Sequence, residues 1–263
     1  MAIMSLLEIN NLSLGFKGVK ALSSVSIEAD PGQITAVIGP NGAGKTSLFN
    51  CISGLYHPQE GSIKFDGQPL LGEKPTAIAE RGIARTFQNL ALFEYLTVLE
   101  NIQLGRHSHY RSHWWQDLFF SSNATKEELR NREFIEDIID FLNLESVRDM
   151  PVSVLPYGIL KRVELARALA MEPKLLLLDE PAAGLNREAT EDLARYIVDI
   201  QEERGVAILL IEHDLSFVFD LAESIYVLDF GRNIANGPPA EMRKNPKVAE
   251  VYAGPSFNEE APA

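Results

Sequence analysis

Apolar residues recur along the chain with two different spacings, and segments of each kind follow one another. Segments 6–14 and 21–28, in which apolar residues stand among polar ones, predict two strands. Shorter apolar runs predict further strands, and these runs are 34–38, 63–65, 83–87, 175–178, 206–211 and 225–228. The run 34–38 is rich in β-branched residues, which is typical of a buried strand.

Helical spacing marks segments between the strands. Residues 127–142 place apolar side chains on one helical face, namely Phe134, Ile135, Ile138, Ile139 and Leu142. Further helices are predicted at 45–55, 159–169 and 188–203, the last ended by Gly205. Thr97 and Thr125 each stand three residues before a Glu, which predicts a capping box at a helix start. The alternation of strands and helices favours an α/β fold whose largely parallel sheet carries helices on both faces.

Composition narrows the location and the partners. The 263 residues are enough for one large or two modest domains. They include 24 basic and 37 acidic residues, and the resulting net charge of −13 disfavours a surface that binds nucleic acid. The single cysteine, Cys51, excludes an internal disulfide and predicts core packing. No apolar run has the length of a membrane span, and the N-terminus lacks a basic leader. We therefore expect a soluble, cytoplasmic protein that touches a membrane only through a partner.

The segment after the run 34–38 fits the pattern G-x-x-x-x-G-K-[ST]. Its residues are Gly39, Pro40, Asn41, Gly42, Ala43, Gly44, Lys45, Thr46 and Ser47. Backbone N–H groups of such a loop bind phosphate oxygens. Lys45 is predicted to reach the β- and γ-phosphates of a nucleoside triphosphate, and the Thr46 hydroxyl to bind Mg²⁺. An ordinary glycine-rich turn is the alternative, and the strand before the loop and the helix after it disfavour that interpretation.

Two carboxylates end the apolar run 175–178. A buried strand of this kind delivers its C-terminal residues to the crevice that holds the phosphate loop. Asp179 is therefore predicted to bind Mg²⁺ and Glu180 to polarise the attacking water. A strand that ends in an ordinary acidic turn is the alternative.

Three further residues lie at the ends or starts of predicted strands and helices. Gln88 and His213 each follow a strand, and Gly158 stands at the mouth of a helix, where anions bind. Taken singly, each is an ordinary loop residue. Taken in order with the phosphate loop and the Asp-Glu pair, they make the chain similar to the ATP-binding cassette (ABC) ATPases over about residues 6–253.

The resemblance implies a fold and a domain organisation. The fold is a RecA-like P-loop ATPase core with an N-terminal antiparallel β-subdomain and an inserted helical subdomain. The core and its β-subdomain would comprise 6–88 and 166–235, the helical subdomain 89–165, and a C-terminal extension with the tail 236–263.

The resemblance also implies roles for individual residues. Phe16, which lies between the first two predicted strands, would stack on adenine. Gln88 would sense Mg²⁺ and couple the ATPase to a membrane partner. His213 would contact the γ-phosphate as a switch.

A dimer is the working unit that the resemblance implies. The signature loop 155–159, with Tyr157 and Gly158, would bind the ATP held by the facing subunit, and 183–186 would cross the interface. The chain departs from the usual ABC residues at Pro156, Ile159 and Asn186. Because proline offers neither a hydroxyl nor a backbone N–H, we predict a weakened signature loop and a paralogue as the working partner. A second copy of this chain is the alternative.

Three stretches resemble the branched-chain amino-acid uptake ATPases in particular, namely 85–101, 107–123 and 235–254. We therefore expect the ATPase subunit of an importer, held at the cytoplasmic face of the membrane by two permease subunits and served indirectly by a solute-binding protein. Importers of urea and short amides share much of this pattern and remain an alternative. A soluble ABC ATPase acting on DNA or ribosomes would carry the same nucleotide motifs, as would a switch that binds ATP without turnover.

The aromatic segment 107–123 contains Trp114, Trp115, Phe119 and Phe120 and is predicted as a loop or short helix. Its side chains either pack inside the helical subdomain or contact the permease or the lipid headgroups, where Trp is favoured. The last ten residues are predicted to form a frayed acidic tail.

Overall fold

The computed structural model describes residues 5–86, 90–109 and 122–252. Its strands are β1 (Leu7–Phe16), β2 (Val19–Ala29), β3 (Ile34–Ile38), β4 (Glu60–Phe65), β5 (Gln68–Pro69), β6 (Ile83–Arg85), β7 (Leu175–Asp179), β8 (Ala207–Ile211), β9 (Ser224–Asp229) and β10 (Arg232–Gly237). Its helices are α1 (Lys45–Ile52), α2 (Pro75–Glu80), α3 (Val98–Gly105), α4 (Ser122–Phe141), α5 (Tyr157–Leu169), α6 (Arg187–Arg204), α7 (Leu215–Leu221), α8 (Pro239–Met242) and α9 (Pro246–Tyr252). Short 3₁₀ turns occupy Arg106–His109, Glu145–Val147 and Val152–Val154.

The larger sheet has the strand order β10-β9-β3-β8-β7-β6. Its strands are parallel except β10, which pairs antiparallel with β9 at one edge. Every residue of β3, β7 and β8 is buried, as continuous apolar strands of a covered parallel sheet require. The carboxyl ends of these three neighbouring strands therefore lie at the same edge of the sheet.

The smaller sheet is antiparallel, in the order β2-β1-β4-β5. The alternation along β1 and β2 directs side chains such as Leu7, Ile9 and Ile27 into a core that also contains Leu48 and Phe49 of α1. The alternation therefore predicted both strands, and each extends a few residues beyond the predicted bounds. The predicted N-terminal antiparallel subdomain is confirmed.

Alternate residues of the larger sheet enter two different cores. Val37 of β3 joins the core shared with the smaller sheet. Its neighbours Ala36 and Ile38 join a second core, which contains residues of α3, α4, α5, α6 and α7. Both faces of the larger sheet are therefore covered, as the strand–helix alternation predicts.

The helices of the 98–169 region pack closely on one another. Thr97 and Glu100 form the predicted capping box of α3, since each side chain accepts a hydrogen bond from the other residue's backbone N–H. A Cβ atom added at Gly105, the last residue of α3, would lie 2.1 Å from the carbonyl oxygen of Arg167 in α5. Only glycine allows the two helices to approach this closely.

Four predictions about element bounds are wrong in detail. The helix predicted at 45–55 ends at Ile52, because Gly54 adopts a left-handed conformation with φ of 72°. The helix predicted from 159 begins two residues earlier, at Tyr157. Thr125 does not cap a helix, because α4 already begins at Ser122. Phe16 does not lie between the strands, since it is the last residue of β1 and continues the antiparallel pairing with β2.

Several other predictions agree with the fold. The apolar face of α4 is buried at Ile135, Ile138 and Ile139, and Gly205 ends α6 in a left-handed conformation. Cys51 is buried, and burial raises the pKa of its thiol to about 11. No helix in the described ranges is long and apolar enough to span a bilayer. Gln88, the predicted tail and the four aromatic residues of 107–123 lie outside the described residues.

The close approach of α3 and α5 predicts that Gly105→Ala destabilises the protein. The added methyl group would meet the backbone carbonyl of Arg167, so a helix must shift, and overpacking of this kind costs about 1–3 kcal/mol. Urea-induced unfolding measures the change in free energy. Gly15→Ala is the matched control, because its Cβ would meet its nearest neighbour at 3.5 Å. Equal stability of the two variants would contradict the packing described for α3 and α5.

Candidate functional site

The loop between β3 and α1 is tight because its glycines adopt conformations that other residues avoid. The φ angles are 152° at Gly39, 82° at Gly42 and 103° at Gly44. A Cβ atom at Gly39 would lie 2.1 Å from the carbonyl oxygen of Leu228, and one at Gly44 would lie 2.5 Å from that of Ala21. The loop is therefore pressed against β9 on one side and β2 on the other, and its shape depends on these glycines.

The start of α1 is open to an anion. Gly44 is the N-cap residue, and no side chain caps the helix. The first N–H groups of a helix have no partner within the helix, and they attract phosphate oxygens. Thr46, in the first turn, is exposed at this mouth. The strand, loop and helix that the sequence motif predicts are all present.

Lys45 is buried inside the loop. Its Nζ donates hydrogen bonds to the carbonyl oxygens of Gly39 at 2.7 Å and Pro40 at 3.1 Å. Burial lowers the pKa of the Lys45 ammonium, and the neighbouring carboxylates of Glu180 and Asp179 oppose that change. The loop thus holds a positive charge at its centre while its own carbonyl groups solvate that charge.

Asp179 ends β7 and is buried beside this loop. Its Oδ2 accepts a hydrogen bond from the Arg85 guanidinium at 2.9 Å, and the side chains of this ion pair are 4% and 9% exposed, respectively. Burial raises the pKa of the Asp179 carboxyl, and the ion pair with Arg85 lowers it. The carboxylate is therefore present at the strand end with a compensating cation.

Arg85 is a site residue that the sequence patterns did not assign. It lies in β6, next to β7. Its guanidinium also donates a hydrogen bond to the Oδ1 of Asn50 at 2.8 Å, and it lies over the Phe49 ring, 5.5 Å from the ring centre. These contacts tie the first helix after the phosphate loop to the Asp179 carboxylate. No short-range pattern marks Arg85, because Asp179 is 94 residues away in the chain.

Glu180 and His213 meet where β7 and β8 end. Glu180 has a left-handed backbone with φ of 48°, and its N–H donates to the carbonyl of Ile211 at 2.9 Å. Its Oε2 lies 3.9 Å from the Nδ1 of His213, whose side chain is 58% exposed. A non-glycine residue held at positive φ is unusual and occurs preferentially at functional sites. The predicted general base and the predicted switch residue are therefore neighbours.

The fully buried carboxylate of Glu212 was not assigned by the sequence patterns either. Its Oε1 accepts a hydrogen bond from the backbone N–H of Ala182 at 2.9 Å, and its Oε2 accepts one from the N–H of His213 at 3.0 Å. Burial raises the pKa of this carboxyl, and the backbone hydrogen bonds lower it. Its position directly before His213 was visible in the sequence, but the contact across to Ala182 was not.

The predicted signature loop lies at the start of α5. Tyr157 is 41% exposed at the start of α5, and Gly158 follows it in the first turn. A Cβ atom at Gly184 would lie 3.3 Å from the Tyr157 ring, so the signature loop contacts the predicted crossing loop. In the described part of the chain, neither Tyr157 nor Gly158 hydrogen-bonds to the phosphate loop.

Asn186, one of the departures from the usual ABC residues noted above, has a structural function here. Its Oδ1 accepts a hydrogen bond from the backbone N–H of Ala189 at 2.9 Å and so caps α6. An amide oxygen performs this task as well as a carboxylate oxygen does. This departure from the family pattern therefore leaves the helix cap intact.

Phe16 offers an exposed aromatic surface at the end of β1. Its side chain is 45% exposed, and its ring packs edge-to-face on Tyr56 with centroids 5.0 Å apart. The Tyr56 contact fixes the orientation of the ring while leaving part of it open. Such a surface can stack on a planar group.

The residues at this edge suit Mg²⁺ bound together with a phosphate ligand. Magnesium takes oxygen ligands and is usually held by one or two carboxylates together with substrate phosphates. The Thr46 hydroxyl and the Asp179 carboxylate provide ligands of this kind. Within the described residues, no group of three or more His, Cys, Asp and Glu side chains is arranged to hold a metal ion by itself.

Comparison with known proteins identifies relatives along almost the whole chain. Residues 22–183 match the family described as ABC transporter. The high-affinity branched-chain amino acid transport ATP-binding protein BraF of Pseudomonas aeruginosa is 37% identical, and LivG of Escherichia coli K12, of the same description, is 36% identical. Each alignment covers 95% of this chain and 98% of the relative.

A similar structure has also been solved. The ADP conformation of MJ1267, an ATP-binding cassette of an ABC transporter, superimposes with a TM-score of 0.83 at 33% identity. The match covers 95% of this chain and 99% of that one. The arrangement of sheets and helices described above is therefore that of an ATP-binding cassette.

The buried Arg85–Asp179 pair generates a stability prediction. Removing one partner leaves the other charge buried, so Arg85→Met should destabilise the protein by about 3 kcal/mol. Adding Asp179→Asn should recover part of that loss, because the uncompensated charge is gone. Chemical unfolding of the single and double variants measures both effects.

The exposed pair between Lys174 and Asp66 provides the control. Its atoms are 2.7 Å apart, but the side chains are 58% and 60% exposed. Lys174→Met should therefore cost less than about 1 kcal/mol. If Arg85→Met proved no more damaging than Lys174→Met, the ion pair would not compensate the buried charge of Asp179.

Proposed function

Because the chain belongs to the ABC transporter family of ATP-binding proteins, we propose that it is the ATP-hydrolysing subunit of an importer for branched-chain amino acids. The observation that carries the proposal is the convergence of Lys45, Asp179 and Glu180 on one edge of the parallel sheet. A loop that binds phosphate, a carboxylate that suits magnesium and a second carboxylate beside a histidine are the groups that ATP hydrolysis needs.

The phosphate loop binds the triphosphate of ATP in this proposal. The N–H groups at the start of α1 face the phosphate oxygens, and Lys45 exchanges the carbonyls of Gly39 and Pro40 for the β- and γ-phosphates. Phe16 stacks on the adenine ring.

Mg²⁺ would be held by the Thr46 hydroxyl and the Asp179 carboxylate, with Gln88, which lies outside the described residues, as a further ligand. When bound, the ion neutralises phosphate charge and polarises the γ-phosphate. The ion pair with Arg85, at 2.9 Å, holds the Asp179 side chain in place at the end of β7.

Glu180 orients the water that attacks the γ-phosphate. Its carboxylate lies at the strand end, partly exposed, with the exposed ring of His213 3.9 Å away. His213 contacts the γ-phosphate and acts as a switch, because its position depends on whether that phosphate is present. The roles differ because Glu180 acts on the attacking water and His213 on the group being transferred.

A second ATPase subunit completes each site in this proposal. Tyr157 of the signature loop is exposed, and within the described residues neither Tyr157 nor Gly158 hydrogen-bonds to the chain's own phosphate loop, which supports binding to the ATP of a facing subunit. Pro156 is the N-cap of α5 and provides no side-chain hydrogen bond. This weak loop supports a paralogue as the partner, and a second copy of the chain is the alternative.

The transport unit adds two permease subunits and, indirectly, a solute-binding protein. They hold the ATPase at the cytoplasmic face of the membrane, and residues 89–165, as the helical subdomain, transmit ATP-driven closure to them. Residues 6–88 and 166–235 form the ATP-binding core with the β-subdomain, and 236–263 the C-terminal extension. Co-purification of integral membrane proteins with the tagged chain tests this assignment.

The proposed substrate rests on the relatives named for branched-chain amino acid transport. Membrane vesicles that contain the complex should accumulate labelled leucine, isoleucine or valine only when ATP is supplied. Urea and acetamide, the solutes expected for the alternative class of importers, are the comparison solutes. ATP-dependent uptake of those amides and of none of the three amino acids would overturn the substrate assignment.

The role of Lys45 leads to the first functional prediction. Lys45→Ala removes charge-assisted hydrogen bonds to the phosphates, each worth about 1.5–3 kcal/mol, so ATP affinity should fall at least ~10- to 150-fold. Fluorescence titration with an ATP analogue measures the dissociation constant. Lys20→Ala, at an exposed position of β2, is the control. Wild-type affinity in the Lys45 variant would refute the assigned phosphate site.

The role of Glu180 leads to a second functional prediction. A group that orients water acts in the chemical step and contributes little to ground-state binding, so Glu180→Gln should keep ATP affinity and lose turnover. Phosphate release under single-turnover conditions separates the two effects. Glu191→Gln, on the exposed side of α6, is the control. Hydrolysis at the wild-type rate would move the base elsewhere, with His213 the next candidate.

A further inference from the structure

Glu212 is a fully buried carboxylate that the proposed reaction does not use directly. It lies between the end of β8 and His213, and its exposed fraction is 0%. Burying a carboxylate is costly unless hydrogen bonds replace its hydration. An apolar residue would avoid this energetic cost, so we expect the buried carboxylate to have a function that an apolar residue could not fulfil.

The two oxygens of Glu212 bind two different loops. Oε1 accepts from the N–H of Ala182, in the loop that follows Asp179 and Glu180, at 2.9 Å. Oε2 accepts from the N–H of His213 at 3.0 Å and lies 3.6 Å from the Nδ1 of its ring. One side chain thus joins the loop of the general base to the loop of the switch histidine.

Only a carboxylate fits both donors. Ionised Glu accepts through both oxygens, whereas Gln has one acceptor oxygen and one NH₂ group. In a Gln variant the NH₂ group would face a backbone N–H, and one of the two loops would lose its partner. Because Glu180 and His213 are only 3.9 Å apart, losing one of these hydrogen bonds would directly change the position of the two side chains relative to each other.

We propose that Glu212 is a positioning residue of ATP hydrolysis, which joins the loops after β7 and β8 so that Glu180 and His213 face the γ-phosphate together. The inference rests on the proposed roles of those two residues. Glu212 touches neither substrate nor water in this account. Its effect on the rate is exerted through the backbone of its two neighbours.

A second carboxylate that accepts a backbone hydrogen bond at a strand end provides a control. Glu223 accepts a hydrogen bond from the N–H of Ile34 at 2.6 Å. Ile34 is the first residue of β3, so this contact lies at the end of the strand opposite to the phosphate loop. Glu223 also binds a backbone donor at a strand end, but far from the phosphate loop. Glu223→Gln therefore controls for the loss of a carboxylate acceptor at an exposed strand end, whereas Glu212 is fully buried.

The test compares these two variants in the full-length chain, both purified alone and in the complex that it forms with its membrane partners. Glu212→Gln should lower kcat about 10- to 100-fold, because small displacements of reacting groups have effects of this size. The ATP dissociation constant should change less than about twofold, since Lys45 and the phosphate loop are untouched. Glu223→Gln should leave both quantities at the wild-type level.

Amide hydrogen exchange gives a measurement that does not depend on turnover. The N–H groups of Ala182 and His213 should exchange faster in Glu212→Gln and remain unchanged in Glu223→Gln. If Glu212→Gln does not fold, Glu212→Asp keeps the negative charge but is too short to reach both donors. The same two amides and kcat are then measured in that variant.

The outcomes distinguish this inference from the proposed function. Wild-type kcat in the Glu212 variants, or a loss of ATP affinity that matches the loss of kcat, would overturn the positioning role. Equal losses of kcat in Glu212→Gln and Glu223→Gln would also overturn it. Glu180→Gln is measured in parallel, and full turnover in that variant would instead refute the assigned hydrolytic site.

Discussion

The parallel pairing of β3, β7 and β8 is the constraint on which the whole site depends. Each strand is a continuous apolar run, so it is stable only where both of its faces are covered. Parallel order then brings the three carboxyl ends to one edge, where the phosphate loop, the Asp179–Glu180 pair and His213 follow directly. The polar residues of the site are thus assembled by hydrophobic burial of the strands that precede them.

The charges at this edge are compensated by groups of the chain itself. Lys45 is solvated by carbonyl groups of its own loop, Asp179 is paired with Arg85, and Glu212 accepts backbone hydrogen bonds. A buried charge without such a partner would cost several kcal/mol, roughly half the stability of a typical domain. The charged groups of the candidate site are therefore balanced by other groups of the chain itself.

The fold and the strand, loop and helix that carry the candidate site could be predicted from the sequence, but the contacts between them could not. Strand runs, the phosphate-loop motif and the Thr97 capping box are short-range signals, and the structure contains each of them. Arg85 and Glu212 were missed because Asp179 and Ala182, the partners of their side chains, are distant in the sequence, so that only the strand order makes them neighbours. Thr125 was misassigned as a helix start because a capping pattern inside a longer helix looks the same in sequence.

A crystal structure of the chain with Mg²⁺ and a non-hydrolysable ATP analogue tests the central claim most directly. The account expects the triphosphate in the Gly39–Thr46 loop, with the Lys45 ammonium moved from the loop carbonyls to the phosphate oxygens and Asp179 beside the metal ion. A triphosphate bound elsewhere, or a Lys45 that still bonds Gly39 and Pro40, would contradict it.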